Sequence, residues 1–221
     1  MTKMHAKLFA LALGAFLSGG VAHADQARPD DGLHHIETEW ARIVYRVKGH
    51  DEQVQAIESL QQEAADYVAA HPGDARALLW EGIVTSEHAA IASVFHQLGL
   101  AKDARDIFNK ALSIDPSGVD GAAQMSLGVL YYRVPGFPIG FGDDDLARKD
   151  LLFALSKAPA GLDANYFYGD FLVEQGDYEQ ARKVLSRALE APVDNDRPIW
   201  DAGRRAEVKE LIAKVDAHLK S

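Results

Sequence analysis

Prolines that recur at a regular interval constrain the fold of this chain more than any other feature. Pro72, Pro116 and Pro159 are separated by 44 and 43 residues, and Pro192 follows after a further 33. Between these prolines, apolar residues recur every three or four positions, and no stretch shows the sustained alternation of a strand. Because proline and glycine end helices, the segment around each of these prolines predicts that one helix stops there and another starts. A period of this size is typical of stacked helical repeats.

The last full repeat unit is the clearest. It reads Asn165-x2-Tyr168-Gly169-x2-Leu172, then Gly176-Asp177-Tyr178-x2-Ala181-x3-Leu185-x2-Ala188. Small residues such as Gly169, Ala181 and Ala188 let two antiparallel helices approach closely, while larger side chains fill the space beside them. The pattern resembles the tetratricopeptide repeat almost position for position.

Earlier segments carry parts of the same pattern. The second half recurs as Ala104-x3-Phe108-x2-Ala111-x4-Pro116 and as Ala147-x3-Leu151-x2-Ala154-x4-Pro159. Before the latter, Leu127-Gly128-x2-Tyr131 matches the first half, and an insertion separates the two halves. The first helix of the earlier unit, predicted over 75–97, is about ten residues longer than the repeat allows.

The sequence therefore predicts an all-α fold: a right-handed stack of four antiparallel helix pairs, an α-solenoid, with a C-terminal capping helix. The pairs are expected over residues 33–71, 75–115, 119–158 and 163–191. Residues 193–221 are expected to form the capping helix and tail, because a stack exposes its final apolar face unless a half-polar helix covers it. The first helix of each pair is expected to line a concave groove.

The first 24 residues have the three parts of a secretory signal peptide. Lys3 and Lys7 precede an apolar run over 8–17, and the triplet Ala22-His23-Ala24 forms a cleavage site. The run is shorter than the roughly 20 apolar residues that cross a membrane, although a retained N-terminal anchor helix is an alternative. We expect cleavage near Ala24, a disordered linker over 25–32, and a periplasmic location.

Composition limits the partners and the chemistry. The net charge of −10 becomes −12 without residues 1–24, which carry two lysines and no acids. Because an acidic surface repels phosphates, we expect no nucleic-acid partner. The chain has no cysteine, so it forms no disulfide and lacks the acylated cysteine of a lipoprotein.

A second, narrower resemblance covers roughly residues 120–190. It rests on LYYRVPGFPIGFGD at 130–143 and ANYFYGDFL at 164–172. Both stretches are similar to periplasmic helical-repeat proteins of the TRAP-transporter T-component-like family. That resemblance implies association with a solute-binding partner and carriage of a small apolar ligand in a groove or pore. Members of that family are often lipoproteins, and this chain departs from them in lacking the cysteine.

The segment 134–143 is an insertion where a standard repeat has a tight turn. It holds two prolines, three glycines and the aromatic residues Phe137 and Phe141. One interpretation is a semi-rigid finger whose rings contact a ligand or partner. The alternative is that the glycines supply positive φ and the rings plug the adjacent core. Asp143 and the two following aspartates are expected to cap and begin the next helix.

Aromatic side chains concentrate on the first helices of the last two pairs. Core packing is the expected role for most of these aromatic residues, and a position facing the groove is the alternative for Tyr132, Tyr166 and Asp170. Together with Phe137 and Phe141, these three are the candidate residues for binding a partner or ligand.

The sequence identifies no catalytic residue, metal site or cofactor. There is no Gly-x-Ser-x-Gly elbow, and His35 and Glu39, one helical turn apart, lack an identifiable third ligand. Carboxylates distant in sequence still converge in some hydrolases, so that alternative stays open. The leading hypothesis is a non-enzymatic, exported scaffold for protein or peptide partners. A TRAP-type transport accessory, or a carrier of a small apolar ligand, is the alternative.

Overall fold

The structure is a computed structural model that describes residues 31–220. These residues form nine helices: α1 (Asp31–Arg46), α2 (His50–Ala70), α3 (Ala75–Ile91), α4 (Val94–Ile114), α5 (Gly118–Arg133), α6 (Asp144–Lys157), α7 (Leu162–Glu174), α8 (Tyr178–Leu189) and α9 (Pro198–Leu219). The predicted fold class, an all-α stack of helix pairs with a capping helix, is confirmed. The predicted signal peptide lies outside the described residues, as do positions 25–30 of the predicted linker, whereas Asp31 and Gly32 already belong to α1.

The helices form two layers. Helices α1, α3, α5, α7 and α9 make the inner layer, in which each contacts the next. Helices α2, α4, α6 and α8 form the outer layer, and each packs against the inner helices beside it. Because α9 contacts α1 as well as α7 and α8, the inner layer closes on itself.

This arrangement explains how polar and apolar residues are distributed. Helix α7 is buried at every position from Leu162 to Leu172, whereas α8 buries one stripe: Ala181, Val184, Leu185 and Ala188. Helices α3, α5 and α7 contact neighbours on most sides and are therefore buried on most of their faces, while an outer helix keeps a solvent face. The aspartates Asp74, Asp143 and Asp177 cap the starts of α3, α6 and α8 through their side chains.

The second pair differs from the sequence prediction. One helix was expected over 75–97, but α3 ends at Ile91 and α4 begins at Val94, with extended backbone at Ala92 and Ser93. Residues 88–98 contain neither glycine nor proline, and Ser93, the residue before α4, is the one local signal of a new helix start. Packing of α4 back along α3 ends the helix here, a tertiary cause that propensity does not reveal.

The close approach of α7 and α8 gives a testable prediction. A Cβ added at Gly169 would lie 2.6 Å from Leu185 Cγ, whereas a Cβ at Gly99 of α4 would meet nothing within 4 Å. We expect Gly169→Ala to lower the free energy of unfolding by about 1–3 kcal/mol through overpacking. The matched control Gly99→Ala should raise it by about 0.5–1 kcal/mol, because alanine favours helix. Urea unfolding measures both, and equal stabilisation by the two variants would contradict the close approach.

Candidate functional site

The inner face of the stack is occupied by the chain itself. Arg204, on α9, is fully buried and lies among residues of α1 and α7. Its Nε donates to Asp163 Oδ1 at 2.7 Å, and its Nη1 donates to Glu207 Oε2 at 2.5 Å. Its guanidinium carbon also lies 4.4 Å from the centre of the Tyr166 ring. The first half of α9 therefore fills the space in which the sequence predicted a groove.

Tyr45 completes this set of residues, which we call the central cluster: Tyr45, Asp163, Tyr166, Arg204 and Glu207. Tyr45 OH donates to Glu207 Oε2 at 3.3 Å, linking α1 to α9. Burial raises the pKa of the Tyr45 hydroxyl well above its ordinary value, against the opposing effect of Arg204. Burial also raises the pKa of Glu207, and Arg204 again opposes the shift. The cluster links α1, α7 and α9, and its Arg204–Asp163 pair is fully buried.

Asp170 and Tyr132 belong to a second polar cluster, between the ends of α5 and α7. Tyr132 OH donates to Asp170 Oδ2 at 2.6 Å, and Arg133 pairs with the same oxygen. Arg133 also reaches Glu174, with 3.6 Å between Nη1 and Oε1. Burial raises the pKa of Tyr132 well above its ordinary value, and the Asp170 charge adds to the shift. Asp170 is buried and Tyr132 is half-buried.

Three of the five candidate residues, Tyr132, Tyr166 and Asp170, make contacts within the helix stack. Tyr166 is buried against Arg204, Asp170 is buried against Tyr132 and Arg133, and Tyr132 is half-buried. Tyr166 and Asp170 therefore do not face an open groove, because Arg204 of α9 covers Tyr166 and residues of α5 cover Asp170. Whether they bind a partner stays a prediction.

Glu87 of α3 is buried beside the central cluster. Its Oε2 has no hydrogen-bond partner among the described residues. Burial raises its pKa well above the ordinary value, the Glu207 charge adds to the shift, and Arg204 opposes it. Burial of this kind favours the neutral form of a carboxyl over the charged form.

The 134–143 loop separates its two aromatic rings. Phe141 packs edge-on against Tyr131, with 6.1 Å between ring centres, and Arg105 of α4 lies 4.5 Å from its centre. Phe137 is 94% exposed. Asp143 accepts hydrogen bonds from the backbone of Asp145 and Leu146, so the prediction that it caps α6 is confirmed.

Glycine is needed in this loop because backbone segments pass close to one another there, and not because the backbone adopts positive φ. Positive φ among the glycines occurs elsewhere, at Gly73, Gly118, Gly121 and Gly176. A Cβ at Gly142 would overlap the carbonyl oxygen of Val134, where the two ends of the loop pass each other. Gly142 N donates to Pro135 O at 3.0 Å across the same crossing.

Exposed apolar side chains gather where this loop meets the start of α4. A Cβ at Gly140 would lie 3.4 Å from Leu98 Cδ1, so the loop lies against α4. We define the apolar patch as the four strongly exposed residues on either side of this contact: Val94 (68%), Phe95 (91%), Phe137 (94%) and Ile139 (68%). Phe95 precedes Leu98 by three residues and therefore lies on the same side of α4. Large exposed apolar groups on adjoining segments form a candidate interaction surface.

Comparison with known protein families identifies the repeats. One model, described as tetratricopeptide repeat, matches residues 142–215, and a second with the same description matches residues 88–117. The chain contains tetratricopeptide repeats. The first tetratricopeptide match spans α6, α7, α8 and most of α9, and the second spans the end of α3 and all of α4. Neither match concerns the TRAP T-component-like family, so that finer resemblance stays a prediction.

Two further comparisons complete these findings. A solved structure titled "MamA RS-1 ArsTM double mutant" is 17% identical, with a TM-score of 0.44, and the alignment covers 85% of this chain and 98% of that one. Comparison with curated proteins gives no match.

Within residues 31–220, no group of three or more potential metal ligands comes together. None of the helices in this range combines the length and apolar character needed to cross a bilayer.

The sequence analysis missed Arg204 and Phe95. Arg204 follows Trp200 by four residues and precedes Val208 by four, so it occupies the buried stripe of α9. A charged residue in an apolar stripe is a signal that could have identified the central cluster. Phe95 lies within the predicted long helix, and nothing in the local sequence shows that it is exposed.

Proposed function

We propose that this chain is an exported, non-enzymatic scaffold that binds a protein partner through the apolar patch. The observation that carries the proposal is the exposure of Phe95 and Phe137 on two adjoining segments of a protein with tetratricopeptide repeats. Repeats of this class commonly bind polypeptides, and aromatic residues dominate the energetics of many interfaces. Export to the periplasm is supported by the three-part N-terminus of the sequence.

The closed inner layer favours the outer surface for binding. Arg204 and Tyr166 fill the inner face, and the Arg204–Asp163 pair is fully buried. A partner segment entering there would have to displace α9 and break a buried ion pair, which is costly. The apolar patch requires no such rearrangement, because its four side chains are already exposed.

Charge around the patch indicates the chemistry of the partner. Three consecutive exposed aspartates, Asp143, Asp144 and Asp145, follow the loop directly. The whole chain carries a net charge of −10. A partner segment with apolar side chains flanked by lysine or arginine would satisfy both features, since complementary charge speeds association and selects among partners.

Substitution of the patch tests this proposal. We expect the double variant Phe95→Ser and Phe137→Ser to weaken partner binding by at least about tenfold, because aromatic anchors at an interface are each worth about 2 kcal/mol or more. Stability should change little, since both rings are almost fully exposed. Val193→Ser is the matched control, because Val193 is 63% exposed and lies outside the patch.

The measurement starts in intact cells. A photo-crosslinking amino acid is placed at position 137 or at position 193, and adducts are identified by mass spectrometry. We expect a polypeptide adduct that forms only from position 137. The crosslinked partner, once purified, should bind the double variant more weakly than the natural protein and should bind Val193→Ser unchanged. The same adducts from both positions, or unchanged affinity of the double variant, would refute the patch as the docking surface. Cell fractionation tests export separately.

A further inference from the structure

A groove lies on the outer surface between α2 and α4, beside the end of α3. Its volume is about 660 Å³. Val54 and Glu58 line it from α2, and Phe95, Gly99 and Asp103 line it from α4. The spacing of four residues places each of these sets along one face of its helix. Because Phe95 also belongs to the apolar patch, the groove and the patch are continuous.

Gly99 leaves open space on the α4 side of the groove. A Cβ at Gly82, Gly128, Gly169 or Gly203 would lie within 3 Å of a side chain on a packed helix, so contact between helices requires those glycines. A Cβ at Gly99 would meet nothing within 4 Å. Glycine within a helix is less favourable than alanine, and packing inside the chain does not require it here. The bare backbone at Gly99 permits the close approach of a bound group.

The charge of the groove comes from two carboxylates. Glu58 and Asp103 are exposed on different helices, and neither forms a salt bridge with a lysine or arginine within residues 31–220. The lining includes no lysine or arginine. Burial lowers the pKa of His88, against the opposing effect of the Glu58 charge, so its imidazole is mostly neutral near neutral pH. The groove therefore attracts a cation, and its acids are free to pair with one.

Other lining residues favour a guanidinium over an ammonium group. The planar rings of His88, His96 and Phe95 line the same groove as the two acids. A guanidinium pairs with carboxylates through parallel hydrogen bonds and stacks on ring faces, whereas an ammonium group is a strongly hydrated point charge. Val54 and Leu100 offer apolar surface to the methylene stem of a long side chain.

We propose that this groove binds an arginine side chain of the partner, with the stem over Gly99 and the guanidinium between Glu58 and Asp103. The inference rests on the proposed function, because the arginine belongs to the polypeptide that docks on the apolar patch. Apolar residues beside the arginine would contact Phe95, where the groove and the patch meet. A partner without the arginine loses the paired charges, so the groove selects among apolar segments.

A short peptide tests the groove without the natural partner. The probe is acetyl-Ser-Leu-Arg-Leu-Ser-amide, and its matched control carries citrulline, which has nearly the shape of arginine and no charge. In a proton–nitrogen correlation spectrum of the full chain, we expect the arginine peptide to shift the Gly99 amide signal saturably, with a Kd on the order of 1 mM. The citrulline peptide should bind at least about tenfold more weakly, and a lysine peptide at least about threefold more weakly. No saturable shift, or equal binding of either control peptide, would overturn the proposal.

Removal of the two acids tests their role. The double variant Glu58→Gln and Asp103→Asn should weaken binding of the arginine peptide by at least about tenfold. Glu179→Gln with Glu190→Gln makes the same change in net charge at exposed positions of α8, outside the groove, and should alter binding by less than about twofold. Equal weakening by the two double variants would refute a local site.

Filling the space over Gly99 is an independent test. Gly99→Leu should weaken binding of the arginine peptide by about tenfold or more, because the leucine side chain occupies the place of the arginine stem. The fold should persist, since the new Cβ meets no neighbour and leucine favours helix. Asn109→Leu is the matched control, because Asn109 is exposed on the same helix and does not line the groove. Unchanged binding by a folded Gly99→Leu protein would contradict the proposal.

The crosslinked partner separates this inference from the proposed function. Phe137 belongs to the apolar patch and does not line the groove. If Phe137→Ser weakens binding of the partner while the Glu58 and Asp103 double variant binds it unchanged, the docking patch stands and the arginine groove is refuted. If only the double variant weakens binding, the groove stands and the patch is refuted. The peptide comparison decides the chemistry of the groove in either case.

Discussion

Replacing Arg204 with methionine should lower the free energy of unfolding by about 3–5 kcal/mol, the usual cost of removing one partner from a buried ion pair. Asp163 would keep its buried carboxylate without the guanidinium that now donates to it at 2.7 Å. Glu207 would lose its shorter contact, at 2.5 Å, and keep the weaker one from Tyr45. Methionine preserves most of the packing of the long side chain, so the loss of charge dominates the effect.

Urea unfolding measures this change, and two comparisons make it specific. Lys214→Met removes an exposed i,i+4 partner of Glu210 and should cost less than about 0.5 kcal/mol. Adding Asp163→Asn to Arg204→Met should recover part of the loss, because the buried side chain that lost the guanidinium is then uncharged. A loss below about 1 kcal/mol for Arg204→Met would show that α9 is not held by the central cluster.

The second large effect is a pH dependence produced by Glu87. Burial first, and the Glu207 charge second, raise the pKa of the Glu87 carboxyl well above its ordinary value of 4.5, and Arg204 opposes the shift. Between 4.5 and the folded-state pKa, the folded protein keeps a proton that the unfolded chain has released. Unfolding then becomes more favourable as pH rises, so this group lowers stability across that window. Below pH 4.5 both states are protonated and the contribution disappears.

Glu87→Gln removes that proton equilibrium and keeps the shape of the side chain. We expect the stability of the variant relative to the natural protein to rise with pH above 4.5, by up to about 1.4 kcal/mol per pH unit. Urea unfolding of both proteins from pH 4 to pH 8 gives this difference directly, and other titrating groups cancel. Glu210→Gln is a control of opposite sign, because a hydrogen bond and the charge of Lys214 lower the pKa of Glu210. A pH-independent difference for Glu87→Gln would show that Glu87 is ionised in the folded protein.

These two predictions bear on function through the position of α9. If Arg204 holds α9 against α1 and α7, the inner face is a core and the outer surface carries the interactions. The proposed docking patch then lies on a different part of the molecule from the central cluster, and it can be tested without disturbing the cluster.

Much of the repeat architecture could be predicted from the sequence, because the residues concerned act locally. Gly169 lies within α7, and Ala181 and Ala188 lie within α8, at spacings that permit close contact between the two helices. Asp143 caps α6 because a carboxylate directly before a helix accepts from its first free N–H groups. Such effects depend on neighbours within a few residues, so the order of residues determines them.

The candidate site was harder to predict, because it depends on contacts between distant segments. Phe137 and Phe141 are four residues apart in the same loop, yet Phe137 is 94% exposed while Phe141 packs on Tyr131 and Arg105. Tyr166 was a candidate groove residue by sequence, but in the structure Arg204 of α9 lies over its ring. No local pattern distinguishes these outcomes.

The sequence by itself determined that the chain forms helix pairs, where most of them begin and end, and which small residues let them pack. The tertiary structure alone decided that the inner layer closes and that polar side chains such as Arg204 and Asp163 are buried within it. The physical reason is the range of the interactions. Helix periodicity and capping act within one or two turns, whereas closure depends on the summed small rotations of successive pairs, which bring α9 back to α1.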